Sequence, residues 1–469
     1  MKFGGTSVGD ASSIGKVVEI IRAASRESVV VVVVSAMSGV TNKLIEAATQ
    51  SQAGNSKSVA AIFEELHRQH KAVVKALIHS ATERKRIVSK MQEILQEGER
   101  LCQGTILLGE LTLPAFDSIS SVGERLSAPL VAAALVERGV ASEAIEAVEL
   151  VVTDSNHGAA DPCMDLTRRS CIARLGPLLQ QGIVPVVTGF LGATEEGVLT
   201  TLGRGGSDYS ATILGAVLDA DEVIIWTDVD GLMTADPRMV PGARTIPEIT
   251  YCEAAELAYY GAKVLHPKTL HAVMKHLIPV SIRNTFAPER PGTRITSTGL
   301  SNSKGVKALT AMSDVALITV RGSGVVEVPS VLCRTLATTA AEGVDLLLTS
   351  QSSSQNDICL IVSSALAKRT VEALRREFAQ DLADDKIEQI TLDPTVAIVT
   401  VVGQDMRSVS EIVGRAFVAL ARHDVNIIAM ARGSSDCRIS FVVAQKDTKA
   451  ALVTTHEEFG FGALALGLE

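Results

Sequence analysis

Aromatic residues make up only 3% of the 469 residues, with one Trp and four Tyr. A β-sandwich around an aromatic core is disfavoured on that account, and abundant Val and Ala point to α/β layers instead. Proline is scarce, 14 against 36 Gly, which excludes Pro-rich or fibrous architectures. The seven cysteines at 102, 163, 171, 252, 333, 359 and 437 contain no CxxC spacing. A disulfide or zinc framework is therefore not expected, and reduced thiols in the cytoplasm are. The longest uncharged stretch, Leu175 to Thr194, is broken by Pro177, Pro185 and Gln180-Gln181. It reads as a helix end, a turn and a buried strand rather than a membrane span. No apolar segment lies ahead of Asp10, so no secretory signal is expected. Excess positive charge is missing too: 44 Lys plus Arg against 53 Asp plus Glu leave −9. Neither nucleic acid nor membrane is an expected partner, although a local cationic pocket for phosphate stays open.

Two common nucleotide signatures are absent as well. No GxGxxG opens a first strand-helix unit, and Gly9-Asp-Ala-Ser-Ser-Ile-Gly15-Lys16-Val17 fails as a Walker loop. It is one residue too long and places Val where Ser or Thr must bind Mg²⁺. No Ser-His or Cys-His nucleophilic pair is suggested.

What is present alternates. Val29–Val34 is a run of six valines that ends at Ser35-Ala-Met-Ser-Gly39. Such a run without polar alternation predicts a strand buried on both faces of a parallel sheet. Gly182–Gly189 and Glu222–Thr227 repeat the pattern, preceded by helical stretches Asp165–Gln181 and Asp208–Leu218. Residues 1 to about 300 are thus expected to be doubly wound α/β, with ligands beyond the carboxyl ends of the strands. Residues 56–104 read as a helical excursion, with His67 and His70 on a solvated face. The Ser/Thr/Asn-rich run from Ala287 to Lys304 reads as a linker.

Beyond it the chain repeats. A shift of 81 residues superimposes Val315–Ile358 on Val396–Ile439 with 12 identities in 44 positions, among them Val315/Val396, Gly322/Gly403 and Arg334/Arg415. Each copy predicts a βαββαβ module, and two copies suit a small-ligand sensor.

Three loops rich in glycine and hydroxyls carry the chemistry: Lys2–Val8, Ser35–Asn42 and Thr201–Tyr209. Backbone N–H groups at such turns, with the following helix N-terminus, suit phosphate. Lys2 and Lys263 supply point charges and Arg204 a bidentate fork, while Asp208 can hold the lysines or meet a metal-bound phosphate. This inventory lacks a general base, which suffices for phosphoryl transfer to an acceptor that is already an anion.

Lys2-Phe-Gly-Gly-Thr-Ser-Val8, Thr200–Tyr209, Trp226-Thr-Asp-Val-Asp-Gly231 with Asp236-Pro-Arg238, and Gly261-Ala-Lys-Val-Leu-His-Pro267 resemble the signatures of the aspartate kinases. The resemblance spans essentially the whole chain and includes two C-terminal ACT domains where the repeat lies. It implies an amino-acid-kinase-type αβα sandwich with a mostly parallel sheet over 1–286 and a linker at 287–304. Two ferredoxin-like ACT domains at 305–391 and 392–469 then follow. It implies ATP with Mg²⁺, L-aspartate as acceptor, 4-phospho-L-aspartate as product, and a place at the head of lysine, threonine and methionine biosynthesis. Lys2 and Asp208 become the catalytic pair, with Lys2, Gly4, Gly5, Ser7, Thr227, Asp228, Arg238 and Lys263 around ATP. Ser35, Thr41, Glu124, Phe190, Arg204, Gly205 and Ser207 line the aspartate pocket, and no residue is assigned as a resident metal ligand. Asp345, Thr349, Ser350 and Gln351 are the effector residues of the first ACT unit, with threonine favoured over lysine because Gln351 is neutral. Asn426 and Arg432 stand at the matching positions of the second. Self-association through the ACT domains, as dimer or tetramer, is a further implication.

Two departures accompany the resemblance: only Met1 precedes Lys2, and Met233 stands where many members have Tyr. The rival readings are a same-fold kinase for glutamate, acetylglutamate or UMP, and a catalytically inactive amino-acid sensor.

Overall fold

The computed structural model describes residues 1–261, 265–299, 305–323, 328–351, 357–404, 409–432 and 437–461. Its strands in chain order are β1 (Lys2–Phe3), β2 (Val32–Val34), β3 (Ser142–Ile145), β4 (Val184–Thr188), β5 (Leu191–Ala193), β6 (Leu199–Thr201), β7 (Val223–Thr227) and β8 (Glu248–Thr250). They continue as β9 (Val280–Asn284), β10 (Thr293–Thr296), β11 (Gly305–Gly322), β12 (Leu348–Gln351), β13 (Ile358–Ser363), β14 (Ile387–Gln404), β15 (Ile427–Arg432) and β16 (Arg438–Ala444). The α-helices are α1 (Ala11–Ala24), α2 (Val40–Gln52), α3 (Ser56–Leu77), α4 (Ala81–Leu108), α5 (Leu113–Ser120), α6 (Val122–Glu137), α7 (Met164–Gln180) and α8 (Gly206–Val217). After them come α9 (Tyr251–Tyr259), α10 (Pro267–Met274), α11 (Val328–Ala341), α12 (Ser364–Glu377), α13 (Ala379–Ala383), α14 (Val409–Ala421) and α15 (Thr448–Glu458).

The chain divides into two compact units. The first comprises Met1–Leu232, Pro247–Tyr251 and Val264–Gly299; the second comprises Met233–Ile246, Cys252–Lys263 and Leu300–Glu469.

In the first unit eight strands form one sheet in the order β3-β4-β2-β1-β7-β9-β10-β8. All neighbours run parallel except β9 and β10. The valine run becomes β2, whose three residues are buried: Val32 and Val34 join the core beside α1 and α6, and Val33 is buried between them in sequence. Strand β1 is only two residues long, yet it sits between two parallel partners, Val33-Val34 on one side and Ile225-Trp226 on the other. Ring stacking of Phe3 on Trp226, with centroids 6.0 Å apart, adds apolar contact across that pair.

The helical excursion is longer than the pattern predicts. Helices α3 and α4 pack on α2 and α6, burying Ile62, Phe63, Leu66, Ile94 and Leu95. His70, expected on a solvated face, is instead 1% exposed and bonds the Leu66 carbonyl through Nδ1 at 2.7 Å. Burial holds it neutral by lowering its pKa to about 4. Residues Thr293–Thr296, expected within a linker, form β10, an inner strand between β9 and β8.

Leu175–Thr194 folds as the end of α7, a turn, β4 and β5, as its Pro and Gly residues dictate. Among the described residues one stretch, Leu113–Glu137, is long and apolar enough to cross a membrane by length and composition. Of its most apolar window, 83% is buried inside the fold, as a core helix requires.

The second unit holds a six-stranded antiparallel sheet ordered β12-β13-β11-β14-β16-β15. The 81-residue repeat is visible in it: β11-α11-β12-β13-α12 matches β14-α14-β15-β16-α15. The long central strands serve both modules. Residues 387–393 of β14 pair with 317–322 of β11 and close the first module, while 305–312 of β11 pair with 398–404 of β14 and supply the fourth strand of the second. The first module is thus an insertion within the second.

The segments at 233–246 and 252–261 also pack in this unit. Leu309 N–H donates to the Thr234 carbonyl at 2.7 Å, Thr234 Oγ1 bonds His456 Nε2 at 3.0 Å, and Lys307 pairs with buried Glu253 at 3.1 Å.

Candidate active site

The carboxyl ends of β1, β2, β4, β6 and β7 and the loops leaving them, with the first turns of α2, α6 and α8, carry the predicted residues of the first unit. Lys2, on β1, is 7% exposed, and its Nζ lies 2.5 Å from Asp208 Oδ1 in the first turn of α8. An acid there also suits the positive end of the helix. Gly205 provides the entry to α8 at φ 72°, a conformation that glycine adopts without strain. A Cβ on it would stand 2.7 Å from that of His266.

Glu124 occupies the first turn of α6 and is 4% exposed, with Oε2 unpaired. Desolvation raises its pKa to about 7, against the opposing effects of backbone hydrogen bonds at Ala36 and Glu124 and of the Lys2 charge. The helix reaches this position because residue 123 is glycine: a Cβ there would lie 2.6 Å from that of Ala36.

Arg204 sits between two glycines in the turn after β6, exposed, and among the described residues no carboxylate pairs with it. Its charge is felt at His266, whose pKa falls first through burial and then through Arg204 and Lys268. Phe190 holds a positive φ of 71° while its N–H donates to Ser210 Oγ at 2.9 Å, and its ring packs against Gly206. Ser207 is 9% exposed and touches Gly189. Ser35 N–H donates to the Phe3 carbonyl at 3.1 Å, and Thr41 lies at the start of α2.

Of the residues read as nucleotide ligands, Gly4 donates its N–H to the Trp226 carbonyl at 3.1 Å, and Gly5 lies against the Ala36 carbonyl. Thr227 ends β7 and donates to Asp228 Oδ1 at 3.2 Å. Ser7 is fully buried, and its hydroxyl shares a 2.7 Å hydrogen bond with Thr285 Oγ1. Arg238 belongs to the second unit, where it forks onto Asp236 at 2.6 Å with its side chain 79% exposed. Lys263 lies outside the described residues.

The effector candidates lie in the second unit. Asp345 is exposed ahead of β12, an edge strand carrying Thr349, Ser350 and Gln351, with Ser350 in register with Cys359. Among the described residues no group of three or more His, Cys, Asp or Glu is arranged to hold a metal ion. A cleft of about 790 Å³ between α4, α6 and the β3 edge contains none of the predicted site residues, and its Arg125 is already paired with Glu97 and Glu146.

One acid that sequence reasoning missed is Asp117 on α5, fully buried and bonded to His157, Gly158 and Thr201. No motif marks it, because its partners lie 40 to 84 residues away.

Residues 1–284 match the amino acid kinase family model, and residues 318–378 and 399–459 match an ACT domain model. A bifunctional aspartokinase/homoserine dehydrogenase of Arabidopsis thaliana is 32% identical over all of this chain and 52% of its own length. Aspartokinase 1 of the same plant is 31% identical over 98% of this chain and 79% of its own. The chain spans about half the length of the bifunctional relatives it matches. Among solved structures, aspartokinase III of E. coli in complex with aspartate and ADP is 27% identical, with TM-score 0.80, covering 97% of this chain and 98% of that one.

Proposed function

Because the chain belongs to the aspartokinases of the amino acid kinase family, we propose that it moves the γ-phosphoryl group of ATP onto the β-carboxylate of L-aspartate, giving ADP and 4-phospho-L-aspartate. The observation that carries this reading is the buried Lys2–Asp208 pair together with the buried Glu124 carboxyl, which feels the Lys2 charge and keeps Oε2 unpaired. In this reading Lys2 neutralises the transferring phosphoryl oxygens and Asp208 keeps its ammonium aimed. Glu124 takes the substrate ammonium, and Arg204 takes the α-carboxylate by its two parallel N–H groups. The β-carboxylate is then left to attack. It is an anion at neutral pH, so no base is needed, and catalysis is positioning plus charge neutralisation.

Gly4, Gly5, Ser7, Thr227 and Asp228 are the proposed nucleotide ligands of the first unit. Mg²⁺ would travel with the ATP phosphates, as this ion commonly does with at most one or two carboxylates. Aspartate with ADP in the E. coli relative supports the substrate and nucleotide. Lysine with aspartate in a second structure of that enzyme, 26% identical and with TM-score 0.77, supports amino-acid feedback. A cytoplasmic location is part of the reading. A coupled assay of ADP release with aspartate, glutamate or no acceptor tests it: release that is equal without acceptor, or absent with aspartate, overturns the assignment.

A further inference from the structure

The site leaves one buried acid unaccounted for. Asp117 is 0% exposed, and both of its carboxylate oxygens are occupied by donors. Oδ1 accepts from Thr201 Oγ1 at 2.6 Å, and Oδ2 accepts from His157 Nδ1 at 2.8 Å, Gly158 N at 3.1 Å and Thr201 N at 3.3 Å. A carboxylate removed from water persists only when its lone pairs are met in this way, so the geometry around it is tightly specified.

Those donors belong to the two segments that shape the turn of Arg204. Thr201 is three residues ahead of it, and Ala160 N–H donates to the Thr201 carbonyl at 3.0 Å. Gly203, at φ 77°, is packed so closely that a Cβ on it would lie 2.9 Å from the Gly158 carbonyl. On its other side Asp117 governs the junction leading to Glu124. Its carbonyl accepts from Ser121 N–H at 3.0 Å and from Ser120 Oγ at 3.0 Å, and α6 begins at the next residue, Val122. One residue therefore ties the Arg204 turn by its side chain and the Glu124 helix by its main chain.

We infer that Asp117 is a positioning residue that sets the placement of Arg204 relative to Glu124, and so the grip on the substrate's α-carboxylate and ammonium. This rests on the aspartate-pocket reading above. Loosening the tether misplaces a fork whose value depends on alignment, so the loss falls on amino-acid binding rather than on the nucleotide or the Lys2–Asp208 pair.

The test is a kinetic comparison in the full chain. Thr201→Val removes the Oδ1 donor at nearly constant shape, and Asp117→Ala removes all the side-chain bonds to the Arg204 turn while the main-chain bonds to Ser120 and Ser121 remain. Both are expected to raise the aspartate KM at least tenfold, with ATP KM unchanged and kcat within about threefold. Asp117→Asn is expected to fall between them and the parent. Its amide oxygen can keep the three donors at Oδ2 while the Thr201 hydroxyl rotates to accept from the amide. If Asp117→Ala does not fold, the other two variants still decide. Lower melting temperatures with aspartate KM within twofold of the parent would reduce Asp117 to scaffold and overturn the inference. A parent enzyme without activity on aspartate overturns the substrate reading instead, before any variant is measured.

Discussion

Lys2 and Asp208 meet at 2.5 Å although 206 positions separate them, one on a two-residue strand and the other on the first turn of a helix. With side chains only 9% and 13% exposed, the pair is held in a site where charge acts at short range. Asp208→Asn leaves the Lys2 ammonium without its anion and free to swing. We expect kcat to fall by roughly 100-fold or more, the scale of losing one preorganised charge-stabilising group, with aspartate KM little changed. Steady-state ADP release measures it; an unaltered kcat would remove Asp208 from the chemistry.

Arg204 offers a guanidinium that no described carboxylate occupies. Arg204→Ala should raise the aspartate KM and spare ATP binding, costing about 2–4 kcal/mol, or roughly 30- to 1,000-fold in kcat/KM. An unchanged aspartate dependence would sink the assignment.

Glu124 gives the pH dependence. Its pKa of about 7 means that the empty site is protonated below that value. The substrate ammonium binds the carboxylate form, so aspartate affinity should rise with pH through about 7 and level off above it, falling up to about tenfold per unit on the acid side. In stability the sign is opposite. The folded state holds this proton more tightly than the unfolded chain, so Glu124 costs stability as pH rises from its ordinary range to about 7. A KM profile of the parent against Glu124→Gln checks the binding limb; the variant should bind weakly and without the slope.

Feedback is expected from threonine at the first ACT module. Asp345 would take the effector ammonium, and neutral Gln351 can both donate to and accept from a hydroxyl. Asp345→Ala should raise the inhibitory concentration roughly 10- to 100-fold at unchanged basal kcat. Titration of threonine and lysine against activity decides the rest: lysine inhibition alone would show that Gln351 discriminates poorly.

Self-association is expected through the second unit. Ile428 and Met430 alternate on β15 at 41% and 43% exposure, an apolar face on a strand that, among the described residues, pairs on one side only. Light scattering should give at least twice the 49.4 kDa chain mass at micromolar concentration, and Ile428→Lys with Met430→Lys should lower it. A parent monomer would refute the pairing.

Much of this was legible in the sequence because the signals were local. The glycine-rich turns and the 81-residue shift became the elements they predict, and of the six valines the last three became β2 while Val29 stayed 75% exposed. What stayed hidden depends on distant partners. No local signal shows that Thr285 shares a hydrogen bond with the Ser7 hydroxyl from 278 positions away. His70 reads as solvated until α3 and α4 are packed. The 293–296 strand hides in polar residues because its pairing with β8 and β9, not its composition, makes it a strand. The fourth strand of the second module precedes the first module in sequence, an order that no repeat search reveals.

Val315 and Val396, equivalent positions of the repeat, are register partners across β11 and β14. Antiparallel pairing of like with like is the arrangement of a twofold dimer, written here into a single polypeptide. Two separate modules joined this way would come apart on dilution. Joined by one chain, and sharing their central strands, they meet at an effective concentration fixed by the tether. The pairing of the two modules is therefore independent of how much of the protein the cell holds, and only association between whole chains is left to respond to abundance.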